Sequence, residues 1–327
     1  YSYDALSRIT KINSSTAKET LSEQSYTYDA ASNLTNKKLI GENLDYSYDK
    51  IYQLTGIKKE ISIPLSATGE QNYKYDTLGN RTETYGGNNA AKHTITNNML
   101  TQMVDAIGTT TLTYNGNGAL TKEILKQGNS EIENTTYTYN ALNQLTKFTK
   151  KDKGQVDGTK TTNAEYVYDY LGNRVKKTVD GKSTYYINDS INEGHTVLNE
   201  ISQDGKATTS LVYGPTGLIA EIYPGNFNIN YIHKDKLGST ILFTDANAKI
   251  LSSYQYDEYG VPTKSGEKFT NYLYTGQEYD EESGLYYYNA RYYDPKKGSF
   301  ISRDPVHGYR GDLLSRNPYS YVKNNPL

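Results

Sequence analysis

Chemistry in this chain has to come from carboxylates, hydroxyls and four histidines, because the sequence contains no cysteine. That excludes disulfides, thiolate catalysis and cysteine-bound zinc. His93, His195, His233 and His307 lie too far apart in sequence to offer a metal-ligand spacing, so no metal or cofactor is expected. No Gly-x-Ser-x-Gly, phosphate loop or dinucleotide fingerprint is present. Carboxyls are the other candidates, since two that share a proton split their pKa values and can serve as general acid and general base. Asp294 and Asp304 each precede a proline, an arrangement that equally suits the start of a turn.

The elements that position such groups must be read from an unusual composition. In 327 residues there are 35 tyrosines, 5 phenylalanines and no tryptophan, and only 35% of residues are hydrophobic. A ring with a hydroxyl needs both burial and a polar partner, so these tyrosines are expected half-buried on long sheets. The net charge of −2, with mixed lysine and glutamate, lacks the clustered positive charge that nucleic acid requires. No apolar run approaches the roughly 20 residues of a membrane span, and no basic-then-apolar leader opens the chain. The first residues are Tyr1-Ser2-Tyr3-Asp4 without a methionine, as expected of an excerpt from a longer polypeptide.

The dominant signal is a repeat. Tyr-x-Tyr-Asp occurs at Tyr1 to Asp4, Tyr26 to Asp29, Tyr46 to Asp49, Tyr73 to Asp76, Tyr166 to Asp169 and Tyr254 to Asp257, with a near copy at Tyr137 to Asn140 and a degenerate one at Leu112 to Asn115. Most copies continue through small residues or Gly-Asn into a second strand, as in Leu78-Gly79-Asn80-Arg81 and Leu171-Gly172-Asn173-Arg174. Alternation with period two puts both tyrosines on one strand face. The aspartate and the residues after it supply the side-chain-to-backbone bonds and positive φ of a tight turn. The unit reads as a β-hairpin, and the unequal spacing of Asp29, Asp49 and Asp76 argues against a helical repeat. Almost no helix is expected. A lone hairpin is marginal in water, so successive hairpins must pair edge to edge in one long antiparallel sheet that buries its tyrosine face. Turn chemistry competes with metal binding for the aspartates, and sheet packing competes with sugar stacking for the tyrosines. Gly86 to Asn89 and Lys150 to Gly158 read as long exposed loops.

From about Tyr231 the period gives way to a denser string: Asp235-Lys236-Leu237-Gly238-Ser239, Tyr274-Thr275-Gly276-Gln277-Glu278-Tyr279-Asp280, Gly284 through Pro295, Phe300-Ile301-Ser302-Arg303-Asp304-Pro305, and Asn317 through Leu327. On these motifs the chain resembles YD-repeat proteins that end in an Rhs repeat-associated core, a family that includes Tc toxin shell subunits and Rhs polymorphic toxins. The resemblance covers the whole chain, with repeats over 1–230 and the core over 231–327.

It implies an all-β strip that spirals into a hollow shell with a C-terminal core plug, secreted by or displayed on bacteria. It also implies partners: a toxin that follows the core in the same polypeptide, upstream repeats or a partner shell chain, and a delivery machine. The family's core resembles an intramolecular aspartic protease that frees the enclosed toxin. Carried over residue by residue, the first acid is Asp304, with Arg303 beside it to position or polarise the scissile region. The second acid falls beyond Leu327 in many members, with Asp312 or Asp294 as substitutes within this sequence. Here Asp304-Pro305 is followed by Val306-His307 before Gly308, a departure from Asp-Pro-x-Gly. An alternative is a cell-surface adhesin whose tyrosine rows stack on sugars.

Length limits what the chain can enclose. At about 16 Å² per sheet residue, the full chain gives about 5,200 Å² of wall, a sphere of radius about 20 Å with about 15 Å free inside. A folded toxin of about 100 residues has an outer radius of about 17 Å. The chain is therefore expected to build part of a shell.

Overall fold

The computed structural model describes residues 1–61, 69–87, 90–155, 158–189 and 196–327. Twenty-four strands, from Ser2–Tyr3 to Pro262–Gly266, belong to one antiparallel sheet, and four short strands, Glu278–Asp280, Leu285–Tyr288, Arg291–Asp294 and Ser299–Phe300, form a second. Among the described residues the helical elements are three single 3-10 turns, at Tyr274–Gly276, Leu314–Arg316 and Val322–Asn324.

Six of the repeats are built the same way. The first tyrosine of the pair is buried, as at Tyr26, Tyr46, Tyr73, Tyr137, Tyr166 and Tyr254. The second is half-buried, and its hydroxyl donates to a backbone carbonyl in the preceding hairpin: Tyr28 to Ile9 at 2.7 Å, Tyr48 to Leu34 at 2.8 Å, Tyr75 to Leu54 at 2.7 Å, Tyr139 to Leu120 at 2.8 Å and Tyr168 to Leu145 at 2.6 Å. Within five of these hairpins the register slips by one residue just before that second tyrosine, as at Thr27/Tyr28 and Ser47/Tyr48, whereas the strand of Tyr254 and Tyr256 pairs with Pro262–Gly266 without a slip. Such bulges twist a strand and re-aim its side chains. The phenol therefore stitches neighbouring repeats while satisfying its own polar end.

The turns follow the aspartate chemistry read from the sequence. Asp29 Oδ1 accepts the N–H groups of Ala31 (2.9 Å) and Asn33 (2.8 Å). Asp49, Asp76, Asn140 and Asp169 make the same pair of bonds two and four residues on. The residue three after the aspartate takes positive φ, for example Ser32 at 70° and Gly172 at 88°. The aspartates are thereby occupied as turn formers, and among the described residues no group of acids and histidines is arranged to hold a metal ion.

One expected loop is a ladder instead. Leu145–Gln155 and Gly158–Tyr168 are strands, with Lys150 opposite Thr162 and Asp152 opposite Lys160. Lys150, Lys151, Asp152 and Lys153 are consecutive and none is buried, so no alternation marks the strand in the sequence; Val156 and Asp157 fall outside the described residues. Gly86 and Gly87 do lie in a bend with positive φ, whereas Asn88 and Asn89 fall outside the described residues.

By compactness the chain divides into two units. One comprises residues 1–111, 235–237 and 304–327; the other comprises 112–234 and 238–303. In the second unit Leu211, Leu218, Ile232, Phe243 and Tyr272 form an apolar cluster.

Candidate functional site

In the first unit, Asp304 stands at the neck of a loop. Its N–H donates to the Pro318 carbonyl at 2.9 Å, and its Oδ1 accepts the Val306 N–H at 2.8 Å. The loop is tied across its middle. The Tyr309 N–H donates to Ser315 Oγ at 2.9 Å, and Gly308 sits so close to Ser315 that a Cβ there would lie 2.0 Å from its carbonyl oxygen. Only glycine fits.

Asp312 caps the far side of the same loop. Its Oδ1 accepts the Ser315 N–H at 3.1 Å, its carbonyl accepts Ser315 Oγ at 2.7 Å, and Lys323 pairs with its Oδ2. The Lys323 bond and the Ser315 N–H hold its carboxyl below the usual carboxylate range, so Asp312 is an anion. Arg303 is exposed.

The loop is docked on repeat turns. Asn317 Nδ2 donates to Asn80 Oδ1 at 2.9 Å, Asn324 Nδ2 to the Gly79 carbonyl at 2.7 Å, and Asn325 Nδ2 to Asn33 Oδ1 at 3.0 Å.

In the second unit, Asp294 is a buried turn residue. It accepts the N–H groups of Lys296 (2.9 Å) and Lys297 (3.1 Å) and pairs with the Lys297 ammonium, which also lies 3.0 Å from Glu123. Burial alone would raise its pKa; Lys297 outweighs that and holds it low.

The most concentrated charge in this unit was not read from the sequence. Arg174 makes a two-pronged contact with Asp280, at 2.6 and 3.1 Å, and reaches Glu278 at 2.6 Å. Lys177 bridges the same two carboxylates at 2.7 and 3.1 Å. Tyr186 donates to Glu278 at 2.8 Å, and the Arg174 guanidinium lies 4.5 Å from the centre of the Tyr287 ring. All four ionic side chains are almost fully buried. Burial would discharge Arg174 and Lys177, but Asp280 and Glu278 hold both above their ordinary range. Against its own burial, Glu278 is drawn down to about 2 by Arg174 and Lys177.

Two further carboxyls lie nearby in the opposite condition. Burial, then the Glu278 and Glu221 charges, push Glu200 up to about 7; burial pushes Glu221 up to about 7 despite bonds from Thr270 (2.6 Å) and Tyr223 (2.7 Å). The only sequence hint of this cluster was Asn173-Arg174 repeating Asn80-Arg81. The partners lie more than a hundred residues away, beyond any spacing rule.

The histidines are scattered. His93 Nδ1 lies 2.9 Å from the Arg81 carbonyl, His233 Nε2 lies 3.0 Å from Thr244 Oγ1, His307 is exposed, and His195 falls outside the described residues. Among the described residues no helix is long and apolar enough to cross a membrane.

Comparison with known proteins places this geometry. A family model described as Teneurin YD-shell matches residues 1–327. The tRNA3(Ser)-specific nuclease WapA of Bacillus spizizenii is 44% identical over 170 residues, covering 50% of this chain and 7% of that protein. Toxin subunit YenC1 of Yersinia entomophaga is 25% identical over 365 residues, covering 92% of this chain and 36% of that protein. Among solved structures, the TcdB2-TccC3 complex superposes on 100% of this chain and 18% of its own, with a TM-score of 0.63 and 18% identity. The fold is thus shared with the TcdB2-TccC3 structure, and the chain spans well under half the length of these relatives.

Proposed function

We propose that this chain, which belongs to the Teneurin YD-shell family, is the C-terminal part of a bacterial toxin's shell, with residues 1–230 as wall and 231–327 as core. The wall encloses a toxin that follows in the same polypeptide, and upstream repeats or a partner chain complete it. The assembly is exported and handed to a target cell by a delivery machine. The observation that carries this reading is the match of the family model to every residue from 1 to 327. It is supported by tyrosine rings turned into the sheet, Tyr26 3% and Tyr166 2% exposed. Rings so covered favour a wall over a sugar-stacking adhesin.

The core is proposed to release the toxin by hydrolysis. An ionised carboxylate takes a proton from water, whose oxygen adds to the scissile carbonyl carbon. A protonated carboxyl donates to the leaving nitrogen, the C–N bond breaks, and a new carboxyl and a new amine result. Asp304 is the first acid. Asp312, held anionic by Lys323, suits the base, and Arg303 would polarise the carbonyl. The test is mass analysis of the full natural polypeptide after expression. A cut on the C-terminal side of Leu327 in the unaltered chain and none in Asp304→Asn is expected; equal processing in both would end the cleavage reading.

A further inference from the structure

Four residues after the turn aspartate, most repeats carry residues of no common type: Arg8, Gln53, Ala119, Gln144 and Val261. At Asn33, Asn80 and Asn173 the residue is asparagine, and at Asn173 the amide donates to Asp169 Oδ2 at 2.9 Å; at Asn33 and Asn80 the side chain does two things at once. Asn33 Nδ2 donates to Asp29 Oδ2 at 2.8 Å. Asn80 Nδ2 donates to Asp76 Oδ2 at 2.8 Å and to Asn98 Oδ1 at 3.0 Å. Because those partners are acceptors only, the amide's orientation is fixed and its Oδ1 must face the other way. Facing it are donors from the terminal segment, Asn325 on Asn33 and Asn317 on Asn80.

The docking is buried, with Asn33, Asn80, Asn317 and Asn324 all between 4% and 7% exposed. A lost partner would therefore leave a desolvated amide behind. Gly79 makes room: its φ is +76°, and a Cβ there would stand 2.8 Å from Leu314 Cδ2 and 3.2 Å from Asn324 Nδ2. The connection to chemistry is one residue long. Asn317 precedes Pro318, whose carbonyl receives the Asp304 N–H at 2.9 Å.

We propose that Asn80 is a positioning residue for the Asp304 site, acting through Asn317 and Pro318, and that Asn33 fixes the course of the chain toward Leu327. The first half rests on the self-cleavage reading; the docking itself does not. In this view two repeat turns, those ending at Asn33 and Asn80, have been turned into receptors for one asparagine-bearing segment.

The test uses the full natural polypeptide and two readouts, the rate of self-cleavage and amide hydrogen exchange over residues 317–327. Asn80→Ala and Asn317→Ala should each slow cleavage about tenfold and raise exchange in that segment. The bond between Asn80 and Asn317 can be lost only once, so the double variant should fall well short of the product of the two single losses. Gln144→Ala removes a comparable turn bond, Asn140 Nδ2 to Gln144 Oε1 at 2.7 Å, and should leave cleavage within about twofold. If Asn80→Ala does not fold, Asn317→Ala tests the same bond from the other side.

Losses that multiply in the double variant, or normal cleavage in Asn80→Ala, would overturn the positioning role. Unchanged exchange at 317–327 would overturn the docking. A chain that never cuts, or that cuts equally as Asp304→Asn, removes the cleavage reading and with it the positioning role; the exchange result then decides the docking alone.

Discussion

The two units hold their late segments by opposite means. In one, the small sheet from Glu278 to Phe300 is fastened to repeat strands by Arg174 and Lys177 against Glu278 and Asp280, four ionic groups taken out of water together. In the other, the segment after Asp304 is fastened by neutral amides, Asn317, Asn324 and Asn325 on Asn80, Gly79 and Asn33. Buried ions gain strength only as a complete set, since each survivor of a broken pair is an uncompensated charge. Amides tolerate every pH and discriminate by geometry alone. The first device suits a permanent joint. The second suits a segment that must be placed accurately next to chemistry.

The largest way to break this contrast is at the ionic joint. Asp280→Asn should destabilise the second unit by about 3–5 kcal/mol, because Arg174 and Lys177 lose half their countercharge. Denaturant unfolding would measure it, with hydrogen exchange rising first around Tyr166 to Tyr186 and Glu278 to Tyr292. A loss below about 1 kcal/mol would mean that water or rearrangement replaces the carboxylate.

The second prediction concerns pH. Glu221, 2% exposed, has its pKa raised from 4.5 to about 7, and Glu200 behaves likewise. A carboxyl with a raised folded-state pKa binds its proton more tightly when folded. Its contribution is therefore fully present below about pH 4.5 and is lost as pH rises through about 7, amounting to roughly 3 kcal/mol for Glu221. The second unit should weaken between those pH values through these two groups, and Glu221→Gln should flatten that part of the profile. A Glu221→Gln profile that keeps the full slope would contradict the assignment. The amide-held segment of the first unit should show no such slope from its own docking bonds.

The smallest expected effect sharpens the comparison by touching neither joint. Tyr48→Phe removes the bond to the Leu34 carbonyl and should cost about 1 kcal/mol, read as a shift in the unfolding midpoint at constant slope.

What was legible in the sequence is what repeats locally. Asp29, Asp49 and Asp76 announced their turns because the bonds they make span only two to four residues, and Tyr-x-Tyr announced its face through the period of a strand. The distinction between the two tyrosines was not legible, since the acceptor of Tyr48 is a carbonyl in an earlier hairpin that the bulge re-aims. Asn80-Arg81 and Asn173-Arg174 look alike in sequence yet part ways. The first asparagine receives Asn317, and the second arginine receives Asp280; both partners come from segments more than a hundred residues later. The expected loop from Lys150 to Gly158 misled because it opens on four consecutive charged residues, Lys150 to Lys153, none of them buried, and so shows no apolar alternation.

One consequence lies in the corners. The repeats close through the same five-residue joint, while the strands it serves differ in length, with five residues in Arg81–Tyr85 and eleven in Leu145–Gln155. A mason using identical corner stones can lay courses of any length between them. Variation among such chains should therefore collect at the hairpin ends opposite the aspartates, where rib length can drift without disturbing the seams.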